Sequence, residues 1–170
     1  MPWYDNLVAD MASMPNPSGL CSRHEAAMLV GRKPVARAHN SDREFVFGRR
    51  VPSTHAEVNV IRRTRASRMY RGRDIRGAVI LVIRRNAKLD LCNSRPCNRC
   101  LDLMRQTGIR AVVYSNCKGE IIRQNIDDIS HDHDYYSRGF YNQRYTRDRQ
   151  WRVPQTGRTS LQQGKKEELN

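Results

Sequence analysis

A chain of 170 residues is long enough for one domain with a full core and short for two. Hydrophobic residues make up 38% and charged ones 28%, and the mean hydropathy of −0.78 is low for a compact enzyme, so part of the chain is expected not to feed the core. A net charge of +14 with a pI near 10.3 excludes an acidic surface and points to a polyanionic neighbour: nucleic acid, nucleotide phosphates or an acidic protein surface.

The chain opens on Met1-Pro2-Trp3-Tyr4-Asp5, with neither a basic start nor an apolar run of signal length. Trp3, Leu7, Val8, Met11 and Met14 recur at spacings of three and four, which predicts a helix packed on a sheet, with Asp5 as its cap. Residues 15–19, rich in Pro and Gly, end it. Residues 26–30 and 35–39 read as two strands joined by a Gly31-Arg32-Lys33-Pro34 turn. Residues 40–53 are expected to form a polar loop with an aromatic insert, Phe45-Val46-Phe47. Its Arg49 and Arg50 suit a phosphate as well as they suit solvent.

A helix is predicted from His55 onward, capped by Ser53 or Thr54, with His55 and Glu57 in its electropositive first turn. Seven arginines between Arg62 and Arg76 then form a basic run, which suits an anionic partner or a solvated face. Residues 77–83 show no polar alternation and read as the doubly buried centre of the sheet. This apolar run is far too short to span a bilayer, and no membrane association is expected. A second helix begins around Pro96, whose missing N–H costs nothing in a first turn. Its N-terminus carries Cys97 and Cys100, one turn apart on one face, where the helix dipole favours thiolates. After Gly108, residues 109–115 and 120–123 read as strands joined by the Asn116-Cys117-Lys118-Gly119 turn, hence an antiparallel pair. The five cysteines are Cys21, Cys92, Cys97, Cys100 and Cys117. An odd number with one Cys-x-x-Cys is no disulfide framework and fits a reducing compartment, cytoplasm or nucleus.

His55-Ala56-Glu57 followed by Pro96-Cys97-x-x-Cys100 matches the signature of zinc-dependent nucleoside and nucleobase deaminases. Over about residues 20–125 the chain resembles the cytidine deaminase-like superfamily. The resemblance implies an α/β fold of three layers, α/β/α, around a mixed five-stranded sheet. Its antiparallel C-terminal hairpin resembles the branch of the free cytidine deaminases, not the branch with a helix between the last two strands. The resemblance further implies Zn²⁺ held by His55, Cys97 and Cys100, and hydrolytic deamination with Glu57 shuttling protons. The implied substrate carries a cytosine base, as nucleoside, nucleotide or polynucleotide. Asn40 falls where the family places a substrate contact, although Ala38 stands where the family often has Gly. Ala56 and the backbone of Ser94, Arg95 and Pro96 are expected to border the pocket, and Arg49 and Arg50 its mouth.

The resemblance stops near Ile126, so the expected division is a zinc deaminase-like domain over residues 1–126 and a basic, aromatic-rich extension over 127–170. His131-Asp132-His133-Asp134 has the residue types for a second metal, but it reads better as an ordinary polar loop. Beyond it, Tyr and Trp alternate with arginines, including Arg138 and Arg144, a pattern that suits bases and phosphates or a protein partner. A reading of another class follows from this extension. The deaminase fold would be a structural component of an oligomer or larger assembly, a virion or ribonucleoprotein, with zinc kept for stability. A purely structural zinc site has no need of Glu57, which favours the enzyme.

Overall fold

The computed structural model describes residues 2–15, 22–46, 49–70 and 75–130, with the backbone alone over 42–46 and 49–52. The elements in chain order are α1 (Asp5–Ser13), β1 (Arg23–Val30), β2 (Lys33–His39), β3 (Ser41–Val46), β4 (Arg49–Thr54), α2 (Ala56–Ala66), β5 (Val79–Arg85), β6 (Leu91–Cys92), α3 (Asn98–Gln106), β7 (Ala111–Ser115) and β8 (Ile121–Asn125), followed by a 3-10 turn, Ile126–Asp128. The main sheet runs β2-β1-β5-β7-β8, with the short β6 paired to the end of β5. β5 and β7 are parallel, and the other neighbours are antiparallel. A parallel pair needs a crossover, and the stretch through β6 and α3 supplies it. The last two strands are a hairpin, as the tight turn requires: Asn116 Oδ1 accepts the N–H groups of Lys118 (2.8 Å) and Glu120 (2.9 Å).

Strand alternation sorts the core into two layers. Ala26, Met28, Ile80, Val82, Val112 and Tyr114 face one way and pack with α2 and α3 residues such as Val60, Ile61, Leu101 and Met104. Ala27, Leu29, Val79, Leu81, Ile83, Ala111 and Val113 face the other way, onto Tyr4, Val8 and Met11 of α1. The architecture is therefore the expected three-layer α/β/α sandwich. Arg85 ties α1 down by donating to the carbonyls of Ala12 and Met14. Arg105 of α3 holds the end of the described chain through the carbonyls of Ile126 (3.1 Å) and Ile129 (2.7 Å).

Some local expectations are corrected. Asp5 does not cap α1: Tyr4 holds that position and Asp5 lies inside the first turn, where its charge still complements the helix dipole. Ser53 and Thr54 do not cap α2, because the strand β4 runs through both of them and His55 becomes the N-cap. Pro96 precedes the N-cap Cys97 of α3 and is not its first helical residue. Residues 40–53 are not a loop. β3 and β4 pair antiparallel from Ser41↔Thr54 to Val46↔Arg49, a ribbon separate from the main sheet. Its aromatic and β-branched residues satisfy their backbone in pairing, where a polar loop would need solvent.

Candidate metal centre and active site

The site lies at the carboxyl end of β5, where open α/β sheets place their ligands. Two helices begin there. His55 is the N-cap of α2 with φ −69°, ψ 150°, and Cys97 the N-cap of α3 with φ −69°, ψ 162°. An N-cap side chain ordinarily bonds back to the first helical N–H groups. Neither does so, which leaves both side chains directed to each other. Cys100 follows one turn into α3, and Glu57 is the second residue of α2.

His55 Nδ1 lies 3.6 Å from Cys97 Sγ and 3.4 Å from Cys100 Sγ. All three donor atoms fall within 4.8 Å of one another, and this is the only such donor group among the described residues. A nitrogen at about 2.0 Å and a sulfur at about 2.3 Å from a tetrahedral zinc stand about 3.5 Å apart. The donor set thus fits one zinc by both chemistry and spacing, with three protein donors and a fourth direction left for another ligand.

The surroundings are dry. Cys97 is 8% exposed, Cys100 2% and Glu57 4%. Burial opposes charge on His55, yet the hydrogen bond with Cys97 and the charges of Glu57 and Cys97 outweigh it and hold the imidazole up at about 9. The hydrogen bond with Cys100 and those with His55 bring the Cys97 thiol down to about 4, against the pull of burial. Cys100 is raised, first by its bond with Cys97 and then by burial. Burial also raises Glu57, with the charge of His55 working against it. Cys97 is therefore the ready thiolate, while His55 and Cys100 each have a proton to give up when metal enters.

The remaining expected residues divide into three groups. Ala56 is fully buried beside His55 at the start of α2. Ser94 locks the strand ends under the metal loop: its Oγ donates to the carbonyl of Val82 (2.8 Å), and it meets Ser115 both through Ser115 N–H (2.8 Å) and through Ser115 Oγ (2.8 Å). Its side chain is thus structural, and its backbone N–H donates to the Ser115 carbonyl (2.8 Å), so its carbonyl is the group that can face a ligand. Pro96 is buried next to it, and the guanidinium of Arg95 donates to the Ser130 carbonyl (2.9 Å). Asn40 is 7% exposed, and its amide closes the β1–β2 end: Oδ1 accepts His24 N–H (2.9 Å), while Nδ2 donates to the Ser22 carbonyl (2.7 Å). Arg49 and Arg50 lie at the far end of the β3–β4 ribbon, pairing with Val46 and Phe45. Arg138, Arg144 and the His131–Asp134 stretch lie outside the described residues.

Two residues were missed by sequence reasoning. β1 begins at Arg23, three residues earlier than its apolar run, and so includes His24. His24 pairs across the sheet with Arg84. Burial lowers the His24 imidazole to about 4, helped by the charges of His55 and Arg84, while Cys97 pulls the other way. His24 is therefore neutral near pH 7 and within electrostatic reach of the metal cluster. Strict alternation with Ala26 and Val82, once β1 was extended backwards, was the signal that placed both residues on the site face.

The layered sheet with an imidazole and two thiols at paired helix starts defines a cytidine deaminase-like fold. Residues 14–116, well over half of the chain, match the family described as the cytidine and deoxycytidylate deaminase zinc-binding region, and the chain belongs to it. Among solved structures it is similar to the cytidine deaminase of Burkholderia pseudomallei, with 20% identity and a TM-score of 0.51 over 72% of this chain and 90% of that one. It is also similar to the dCMP deaminase of the cyanophage S-TIM5 in complex with dCMP and dUMP, with 19% identity and a TM-score of 0.48 over 68% and 83%. The apo form of that phage enzyme matches at 20% identity and a TM-score of 0.40, over 55% of this chain and 65% of that one, just under two thirds of its length. At these identities the likeness speaks of fold. No curated protein matches the sequence. No helix among the described residues is long and apolar enough to cross a membrane.

Proposed function

We propose that this chain is a zinc-dependent hydrolytic deaminase acting on a cytosine base, with zinc held by His55, Cys97 and Cys100. The observation that carries the reading is Glu57. Its carboxyl is buried against the donor cluster, yet it is not one of the three converging donors. A structural zinc site gains nothing from a desolvated acid beside it, whereas a proton shuttle needs one.

Bound there, zinc supplies Lewis acidity and lowers the pKa of water. Glu57 takes one proton from the attacking water and passes it to the ring nitrogen, then takes the second from the new hydroxyl and gives it to the amine as the carbon–nitrogen bond breaks. Water is consumed, ammonia leaves, and cytosine becomes uracil. Burial raises the Glu57 carboxyl, with the charge of His55 working against it, which favours its holding a proton between the two transfers. The Ala56 N–H, at the free start of α2, and the backbone of Ser94, Arg95 and Pro96 border the base. Asn40, with its amide bonded into the β1–β2 end, shapes the rim and offers its remaining N–H to a sugar.

The catalytic domain extends past residue 126, since Ile129 is still buried in the core, and the extension beyond it supplies a basic docking arm. Ammonia release from cytidine, deoxycytidine, dCMP and single-stranded DNA or RNA tests the enzyme. Turnover of one of these, lost in Glu57→Gln with zinc retained, is the expected result. Zinc-loaded protein inert on all of them refutes it.

A further inference from the structure

Two adjacent arginines on β5 have opposite fates. Arg85 points to the α1 face, is 2% exposed, and donates to two carbonyls. Arg84 points to the opposite face, the one that carries the metal cluster, since it alternates with Val82 and Ile80. Its Nε is buried and has no hydrogen-bond partner among the described residues. A desolvated guanidinium donor without an acceptor is costly, and one turned toward a substrate site is best explained by an acceptor that arrives with the substrate.

The neighbours of Arg84 support that reading. Across the sheet stands His24, whose backbone N–H and carbonyl are both bonded to Asn40. His24 does not neutralise Arg84, because its ring carries no negative charge at any pH. On the other side, Arg84 pairs with Cys92 of β6, which leads into the metal loop. The side chains from these positions therefore share the face that carries the metal cluster, at the carboxyl end of β5, with a positive charge and, among the described residues, no carboxylate paired with it.

Resting on the deaminase reading, we propose that Arg84, seated against His24, is a phosphate subsite, so that the substrate is a cytidine monophosphate and not the free nucleoside. The guanidinium meets phosphate oxygens through its fork of N–H donors, including the Nε–H that the fold leaves without an acceptor. His24 is its cross-strand neighbour on the same face.

Calorimetry on the zinc-loaded full chain tests this with product ligands, which bind without turnover. The wild type is expected to bind dUMP roughly 10- to 100-fold more tightly than deoxyuridine, the range for hydrogen bonds to a charged group. Arg84→Gln brings dUMP down to the level of deoxyuridine at wild-type zinc content, and Arg84→Lys, which keeps the charge but loses the fork, falls between. Should the Gln variant fail to load zinc, the Lys variant alone decides. Equal binding of the two ligands by the wild type overturns the proposal, as does a preference that survives both substitutions. If a cytosine-containing single strand loses affinity in Arg84→Gln while dUMP does not, Arg84 serves a polynucleotide backbone and the monophosphate assignment falls. A dUMP preference that depends on Arg84, with no ammonia released from dCMP, keeps the subsite and refutes the deaminase reading instead.

Discussion

His55 and Cys97 occupy the same position in two different helices: each is the N-cap, with the same extended backbone, and neither caps its own helix. The normal duty of such a side chain is to accept a bond from its helix. Here the two are turned on each other, with His55 Nδ1 3.6 Å from Cys97 Sγ. The first N–H groups of both helices are thereby left without a side-chain cap.

Zinc content follows from this geometry. Purified wild type is expected to carry about one zinc per chain, and Cys97→Ala or His55→Ala to carry almost none, by elemental analysis. Stripping zinc with a chelator lowers the melting temperature, because a ligand bound only to the folded state stabilises it by mass action. A metal-free wild type with an unchanged melting temperature sinks the site.

Glu57→Gln keeps the shape of the buried carboxyl and removes its proton chemistry. The expected loss in kcat is about 10²- to 10⁴-fold, the usual contribution of a positioned acid–base group. Zinc content stays at the wild-type level. A variant as active as the wild type would remove Glu57 from the mechanism.

Glu25 gives a pH signature on the α1 face, away from the metal. Burial raises its carboxyl, with Arg37 and Arg85 pulling it down and Asp10 adding to the rise. The folded chain therefore holds this proton at a pH where the unfolded chain, near 4.5, has lost it. Stability linked to Glu25 is full below pH 4.5 and declines as pH rises through the folded value. Glu25→Gln removes that decline, so the variant gains on the wild type at pH 8 and the gap closes at pH 4. Urea melts at the two pH values measure it, and a gap independent of pH contradicts it.

Gly108 ends α3 with φ +73°, and its N–H bonds the Arg105 carbonyl at 3.0 Å. A Cβ there would stand 2.3 Å from Arg76 Cγ, and the left-handed backbone costs an L-residue about 1–2 kcal/mol on its own. Gly108→Ala is expected to lower stability by at least that amount in chemical denaturation, and no loss would show that the turn can rearrange.

Truncation after Ser130 is expected to leave zinc binding intact, because the core closes at Ile129 and Arg95 bonds the Ser130 carbonyl. Affinity for single-stranded nucleic acid falls with the removed arginines, most steeply at low salt. Loss of zinc on truncation would place the extension inside the domain.

The pairing of Cys97 with Cys100, the doubly buried strand and the closing hairpin were legible in the sequence, because each depends on short-range spacing: a Cys-x-x-Cys on one helical turn, an apolar run without alternation, a four-residue turn between strands. Other features depend on distant partners. Whether residues 40–53 form a loop or a ribbon is settled by the pairing of Ser41 with Thr54. That pairing also carries the strand to Thr54 and leaves His55 as the cap. Asn40 was legible as a rim residue, but that the carbonyl of Ser22 and the N–H of His24 engage its amide and leave one N–H over is decided by the fold. Arg84 and Arg85 are neighbours of identical chemistry, and local sequence treats them alike. Only the sheet, by sending alternate side chains to opposite faces, satisfies one against α1 and turns the other toward the metal centre.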